Sequence, residues 1–246
     1  MRPPVPSGTV FVKDPVDVWG KEQTIGLAEL AARTHAPPLI FDRQGNILYW
    51  DDYENPTPKY DLYSIFGGTL TRSIDYAYNG SFSLKCTPTG GSGSQAGPKY
   101  YLTDFHEDAT ITAKFSMTSP DTYGWYFYVN IAYYDGTNVN NAAVKYIAGG
   151  GFQYLDSAGG WQTLPTIARY ENEYNWGSMS LSIDLNTKKY LTARVFRTEH
   201  DLSAYSMYPT ASALNPHLEI KAYFEDIAGT GIVGYVDDFV VMENVT

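Results

Sequence analysis

The chain has 246 residues, 43% of them hydrophobic, and a formal net charge of −10. This composition is typical of a globular protein that is long enough to bury a core. The acidic balance disfavours nucleic acids and anionic membranes as partners, because few cations remain to neutralise phosphates. No apolar run reaches the roughly 18 residues of a membrane span, so we expect no membrane insertion. The single cysteine, Cys86, excludes an internal disulfide and lies in a strand pattern that predicts a core position.

The first 49 residues predict an N-terminal extension. Residues 1–23 are rich in proline and predict an extended arm, and the sequence after Arg2 lacks the apolar stretch of a secretory signal. Thr24 is the predicted N-cap of a short helix that ends before Pro37. Two apolar runs, 39–41 and 47–50, flank a glycine-containing loop and predict a hairpin. We therefore expect a boundary between residues 49 and 50.

From residue 60 onward, apolar and polar residues alternate with a period of two. This alternation predicts strands with one core face and one wetter face. Many such strands, separated by glycine, asparagine and aspartate turns, predict an all-β sandwich or barrel. The clearest predicted strands cover residues 82–86, 110–117, 178–184, 191–195 and 218–224.

The strand at 125–134 is the most aromatic segment of the chain. One of its faces is predicted to be core, and the other carries Tyr126, Tyr128, Asn130 and Tyr134. Trp161 lies beside a turn and is a candidate loop anchor. Aromatic rings stack on sugars, and hydroxyl and amide groups bind sugar hydroxyls, so these residues form a candidate glycan surface. They also suit a protein interface, or a face that the N-terminal arm covers within the same molecule.

Short motifs at both ends of the β-rich region resemble a known family. Residues 50–54 (Trp-Asp-Asp-Tyr-Glu) and 79–85 (Asn-Gly-Ser-Phe-Ser-Leu-Lys) are similar to its opening strands, and residues 235–241 to its closing strand. The family is the jelly-roll β-sandwich of carbohydrate-binding modules and concanavalin-like proteins. The resemblance implies two antiparallel sheets over residues 50–246, preceded by the extended arm, the short helix and the hairpin.

The same resemblance implies a structural calcium ion that joins the first and last strands. Its ligands in this chain would be the carboxylates of Glu54 and Asp237 and a main-chain carbonyl near Gly80. Calcium binds six to eight oxygens, and it would relieve the repulsion between two carboxylates on neighbouring strands. The alternative is that these acids are solvated or accept hydrogen bonds from turn amides.

Nothing in the sequence predicts catalysis. A glycosidase needs a pair of positioned carboxylates, and the acidic groups of this chain are typical of solvated edges. The four histidines are scattered without metal-ligand spacing, and neither a nucleophile elbow nor a phosphate loop is present. We therefore expect that the protein is not an enzyme. The acidic groups considered are Asp51, Asp52 and Glu54, then Glu171 and Glu173, then Glu225 and Asp226.

Two hypotheses of function follow. In the first, the protein is a non-catalytic structural component of a virion or phage particle, such as a capsid decoration or tail-associated protein, located at the virion surface. Its partners would be other particle subunits, in a homo-oligomer or with a capsid or tail protein, and surface glycans. The proline-rich arm supports this hypothesis because such an arm reaches a neighbouring subunit. In the second, the protein is an extracellular glycan-binding module of a carbohydrate-active protein.

Overall fold

The computed structural model describes residues 46–165 and 176–244, which form sixteen strands and no helix. The strands belong to two antiparallel sheets, I and II, that pack face to face around one hydrophobic core. This architecture confirms the predicted all-β jelly-roll sandwich. The predicted arm, the helix beginning at Thr24 and residues 39–41 of the predicted hairpin lie outside the described residues. Within the described part of the chain, no helix is long and apolar enough to cross a membrane.

Sheet I contains eight strands, seven of them in the order β13-β12-β11-β6-β16-β4-β3, and β1 also pairs with β16. Its strands are β1 (Asn46–Asp51), β3 (Gly68–Ser73), β4 (Ser83–Pro88), β6 (Thr110–Thr118), β11 (Gly177–Asp184), β12 (Lys189–Val195), β13 (Thr198–Asp201) and β16 (Gly234–Asn244).

Sheet II also contains eight strands, seven of them in the order β10-β9-β8-β7-β15-β5-β2, and β14 pairs with β8. Its strands are β2 (Asp61–Ile65), β5 (Ser94–Leu102), β7 (Trp125–Tyr134), β8 (Asn138–Ile147), β9 (Gly151–Leu155), β10 (Trp161–Thr163), β14 (Tyr208–Ala211) and β15 (His217–Asp226).

The predicted alternation holds in both sheets. Strand β11 is buried at every second residue, and so is β15, with apolar side chains facing the core. Cys86 is buried within β4, as predicted. Strand β12 differs at its start, where Tyr190 is buried and the alternation favours Leu191. The pairing of β11 with β12 shifts between Ser182 and Ile183, and such a bulge reverses the face of the residues beyond it.

Aromatic stacking joins the two sheets at the centre of the core. Phe239 of sheet I lies between two rings, with centroids 4.3 Å from Phe115 and 4.0 Å from Tyr100 of sheet II. All three side chains are almost completely buried. Aromatic side chains bury more apolar area than any others, so this stack contributes strongly to holding the sheets together.

The first and last described strands are neighbours. Strand β1 pairs antiparallel with the second half of β16, from Asn46 opposite Glu243 to Asp51 opposite Phe239. The predicted boundary between residues 49 and 50 falls inside β1. The pairing of β16 with β6 is irregular between Asp237 and Val240, and Asp238 has a positive φ of 49°. A bulge of this kind re-aims side chains, and here it places two consecutive aspartates beside residues 78–79.

Candidate functional site

The outward face of sheet II carries a row of aromatic rings that crosses the strands. Tyr128 of β7 lies opposite Tyr223 of β15, and their rings stack with centroids 4.5 Å apart and planes 10° from parallel. Tyr63 of the edge strand β2 continues the row, 4.7 Å from the Tyr223 ring. Between them Gly97 of β5 approaches the β15 backbone so closely that a Cβ atom would lie 2.0 Å from the Ala222 carbonyl oxygen. Glycine is therefore required at the centre of this face.

Lys145 extends the row on the other side of Tyr128. It pairs with Tyr128 across β7 and β8, and its Nζ atom lies 4.2 Å from the ring centroid of Trp161. The same ammonium is 4.8 Å from the Tyr126 ring and 5.7 Å from the Tyr128 ring. Lys145 is 8% exposed, and burial lowers the pKa of its ammonium while the negative charge of Glu225 opposes that shift. The lysine head is thus enclosed by three aromatic side chains.

Hydrogen bonds fix the middle of the row. The Glu225 Oε2 atom accepts a hydrogen bond of 2.6 Å from the Tyr128 hydroxyl and one of 3.1 Å from the Gln95 side chain. Gln95 in turn accepts a 3.0 Å hydrogen bond from the Tyr63 hydroxyl. Burial, followed by the hydrogen bond to Glu225, raises the pKa of Tyr128 far above its usual range. The hydroxyl therefore stays protonated and acts as a donor at neutral pH.

The row runs from Tyr63 on β2 to Trp161 on β10. Successive ring centroids, from Tyr63 through Tyr223 and Tyr128 to Trp161, are 4.7, 4.5 and 5.6 Å apart, so the row is at most about 15 Å long. Ring edges, amide groups and charged groups alternate along this length. Such a surface offers stacking and hydrogen bonding to an extended ligand that lies across the strands. We call this surface, defined by Tyr63, Gln95, Tyr126, Tyr128, Lys145, Trp161, Tyr223 and Glu225, the aromatic face.

The structure brings three of the five predicted contact residues together. The ring centroid of Tyr128 is 6.2 Å from that of Tyr126 and 5.6 Å from that of Trp161. Asn130 is 8% exposed, and its side-chain amide donates a hydrogen bond to the Ala142 carbonyl, so it stabilises the pairing of β7 with β8. Tyr134 stacks on His217 with centroids 4.0 Å apart. Its position, six residues beyond Tyr128 along β7, is about 20 Å away.

Sequence reasoning missed most of the polar part of the aromatic face. The alternation of β15 places Tyr223 on the wetter side of the strand. The same period, extended by two residues, places Glu225 beside Tyr223 on that side. The stacking of Tyr223 on Tyr128 depends on the pairing of β7 with β15, which the sequence does not reveal. Lys145 carried no comparable signal, because β8 contains few of the alternating pairs that identify the other strands. The alternative in which the N-terminal arm covers this face lies outside the described residues.

The residues predicted to bind calcium hold a loop through hydrogen bonds. The Glu54 Oε1 atom accepts hydrogen bonds of 2.7 and 2.8 Å from the backbone amides of Ser81 and Phe82. The Asp237 Oδ2 atom accepts from the backbone amides of Tyr78 and Asn79, at 2.8 and 3.2 Å. Gly80, with a φ of 70°, approaches Glu54 so closely that a Cβ atom would lie 2.4 Å from Oε1. The two acids thus fasten residues 78–82 from both sides.

This arrangement does not fit a calcium ion. Asp237 uses both carboxylate oxygens, because Oδ1 accepts a 2.8 Å hydrogen bond from the Asp238 amide. Amide N–H groups point at these oxygens and would repel a cation. Burial and the neighbouring Asp238 raise the pKa of Asp237 to about 8, and burial raises that of Asp238 to about 6. The described residues hold no group of three or more potential metal ligands. Calcium binding by Glu54, Asp237 and the Gly80 region remains a prediction.

Asp226 and Asp51, two of the other acidic groups considered for catalysis, accept hydrogen bonds from nearby backbone amides in the structure. Asp226 is 1% exposed and accepts hydrogen bonds from the turn amides of Ala228, Gly229 and Gly231. Asp51 is buried and accepts from the Tyr53 amide. Glu225 alone lies on the aromatic face, where its hydrogen bonds to Tyr128 and Gln95 position those side chains. Glu171 and Glu173 lie outside the described residues.

Solved structures of other proteins share this fold at low sequence identity. The chain superposes on an endo-beta-1,4-glucuronan lyase from the fungus Trichoderma reesei with a TM-score of 0.52 and 14% identity, over 80% of this chain and 95% of that one. A xylan-binding domain, CBM22-1, of Paenibacillus barcinonensis Xyn10C gives a TM-score of 0.41 and 14% identity, over 84% and 99%. Bacillus licheniformis beta-glucanase gives 0.47 and 10%, over 81% and 99%.

The glucuronan lyase, with its TM-score of 0.52, shares the fold of this chain, and the two antiparallel sheets agree with the predicted jelly-roll resemblance. No protein-family model matches the chain, and no curated protein matches its sequence. At such identities the similarity concerns the fold alone, and the fold hosts both binding domains and enzymes. The function must therefore be argued from the aromatic face.

Proposed function

We propose that this protein binds a polysaccharide along the aromatic face of sheet II. The observation that supports the proposal is the row of rings and hydrogen-bonding groups that runs from Tyr63 to Trp161 across the strands. Sugar rings have apolar faces and hydroxyl edges, and a surface that alternates aromatic and polar groups complements both. The row, at most about 15 Å long, suits a short run of sugars.

The proposed activity is binding without catalysis. Two carboxylates of β15 lie on the outward side of sheet II, and both already have partners: Glu225 accepts from Tyr128 and Gln95, and Glu219 forms an ion pair with Lys221. We therefore propose that they do not act as the acid–base pair that glycoside hydrolysis requires. We further propose that the protein binds the polysaccharide outside the cell. The hypothesis of a virion component depends largely on the proline-rich arm at residues 1–23 and the helix predicted after it, which lie outside the described residues, and it remains a prediction.

Affinity electrophoresis in gels that contain neutral or acidic polysaccharides tests the proposal, followed by titration calorimetry with oligosaccharides of the best ligand. Trp161 is half-buried at the end of the row, so Trp161→Ala should weaken binding by about tenfold or more. Trp176→Ala is the matched control, because Trp176 precedes β11 of sheet I and contacts Tyr78. This control should bind like the unmodified protein.

Two results would contradict the proposal. One is the absence of retardation by every polysaccharide tested. The other is equal binding by Trp161→Ala and Trp176→Ala, which would separate any glycan affinity from the aromatic face. Thermal unfolding of both variants establishes that they are folded at the temperature of the binding measurement.

A further inference from the structure

Lys145 is the one cation of the aromatic face that has aromatic neighbours on several sides. Three rings surround its Nζ atom, at 4.2, 4.8 and 5.7 Å. Within residues 46–165 and 176–244, no oxygen atom accepts a hydrogen bond from this ammonium, and the residue as a whole is 8% exposed. The Nζ atom itself is not fully buried, so solvent reaches its three N–H donors, and an anionic ligand could replace that solvent.

The other lysines near the row differ from Lys145 in this respect. The Lys221 ammonium forms an ion pair of 2.6 Å with Glu219. Lys99 lies 4.8 Å from the exposed ring of Tyr101 and keeps contact with solvent. The nearest acid to Lys145 on its own face is Glu225, two strands away on β15, and its Oε2 atom is bound by Tyr128 and Gln95. Among the described residues, the Lys145 ammonium therefore has no hydrogen-bond acceptor and lies next to Trp161.

We infer that the Lys145 ammonium binds an anionic substituent of the polysaccharide, so that the aromatic face selects acidic glycans. The chemistry is a carboxylate of a uronic acid or a sulfate ester. An anionic oxygen would supply the missing acceptor, and the partly desolvated site strengthens a charge-assisted hydrogen bond. The inference rests on the proposed function, because it names the substrate class of the same face.

The decisive comparison uses one polymer in two charge states. Oligomers of a uronan with free carboxylates are compared by calorimetry with the same oligomers after methyl esterification, which removes the charge and keeps the sugar rings. We expect the free acid to bind about tenfold or more tightly than the ester. A sulfated neutral glycan forms the third arm, and tighter binding of this ligand than of the uronan would identify the substituent as a sulfate ester.

Lys145→Met tests the residue, because methionine is of similar length, fills the space between the rings and carries no charge. In this variant the preference for the anionic ligand should disappear, while affinity for the methyl ester changes little. Lys189→Met removes the same charge from an exposed position at the start of β12 in sheet I and should retain the preference. If Lys145→Met does not fold, Lys145→Arg replaces it, and this variant should retain the preference through its own cation.

The outcomes separate this inference from the proposed function. Failure of every glycan to bind would overturn both. Equal affinity of the free acid, the sulfated glycan and the methyl ester would overturn only the role of Lys145, as would an anionic preference that survives Lys145→Met. A preference that vanishes in Lys145→Met and persists in Lys189→Met would establish it.

Discussion

The outward faces of the two sheets have different compositions, although their inward faces are alike. On sheet I, strand β11 presents Ser178, Ser180 and Ser182, and the Ser182 hydroxyl bonds to Thr112 of β6 at 2.8 Å. On sheet II, strand β7 presents Tyr126 and Tyr128 instead. Both sheets meet the same demand for apolar packing inside, so folding does not explain the tyrosines outside. Small polar residues suffice on a solvated strand, whereas clustered rings mark a contact surface.

The ionisable groups of the two sheets also differ, in the partners that surround them. Asp237 of sheet I is buried, and backbone amides of residues 78, 79 and 238 bind both of its carboxylate oxygens. Lys145 of sheet II is also mostly buried, but its ammonium lies among aromatic rings, and no oxygen of the described residues accepts a hydrogen bond from it. A buried ionisable group whose oxygens all have partners supports the fold. An ammonium without an acceptor is suited to receive a ligand, and this difference can be tested by substitution.

The largest expected effect comes from the inward faces. Phe239→Ala removes the ring between Phe115 and Tyr100 and leaves a cavity, so we expect the free energy of unfolding to fall by about 3–5 kcal/mol. Urea unfolding measures this loss. Trp161→Ala, on the outward face, should change the free energy of unfolding by about 1 kcal/mol or less. If both variants lost the same free energy of unfolding, Trp161 would contribute to stability like a core residue, and the aromatic face could not be distinguished from the core.

The inward faces were predictable from the sequence, and the partners of each strand were not. A period of two identifies which residues of β15 face the core without any knowledge of the neighbouring strands. Stacking and hydrogen bonding on the outward face depend on which strands lie side by side. Tyr128 and Glu225, for example, form a hydrogen bond across 97 positions of the chain. The motifs therefore predicted Tyr126, Tyr128 and Trp161 one by one, and Lys145 and Gln95 not at all.

The predicted metal site shows the same limit. The resemblance correctly placed Glu54, Asp237 and the Gly80 region close together, because the opening and closing strands are neighbours in this fold. Which atoms of residues 78–82 face the carboxylates depends on backbone torsions within the loop. The amide nitrogens face them here, and a short motif does not determine that orientation.

A smaller effect should follow from the titration of Asp237. Its pKa rises from 3.8 to about 8 on folding, because burial and Asp238 disfavour the charged form. The folded state therefore binds a proton more tightly than the unfolded state. The associated stability is present below pH 4 and is lost as the pH rises to about 8. Asp237→Asn removes this titration, so its melting midpoint should decrease less between pH 5 and 8.5, by a difference of about a few degrees.

Asp156→Asn is the matched control for the pH experiment. Hydrogen bonds from the Gly160 amide and the Gln162 side chain lower the pKa of Asp156, so this residue is charged throughout the range measured. Its variant should follow the pH dependence of the unmodified protein. Parallel curves for Asp237→Asn and the unmodified protein would show that Asp237 has the same charge in the folded and unfolded chains. Burial would then not change the charge of Asp237, and the comparison between this acid and Lys145 would no longer hold.

The smallest expected effect is that of calcium. Because Glu54 and Asp237 already accept amide hydrogen bonds, adding calcium or a chelator should leave the melting midpoint unchanged. An ion that bound only the folded state would stabilise it by about 2.7 kcal/mol at a concentration 100 times its dissociation constant. A rise of that size, abolished by Glu54→Gln, would mean that the loop at 78–82 turns its carbonyl groups toward the acids. The acids of sheet I would then be a ligand site like Lys145 of sheet II, and the sheets would differ only in the charge of what they bind.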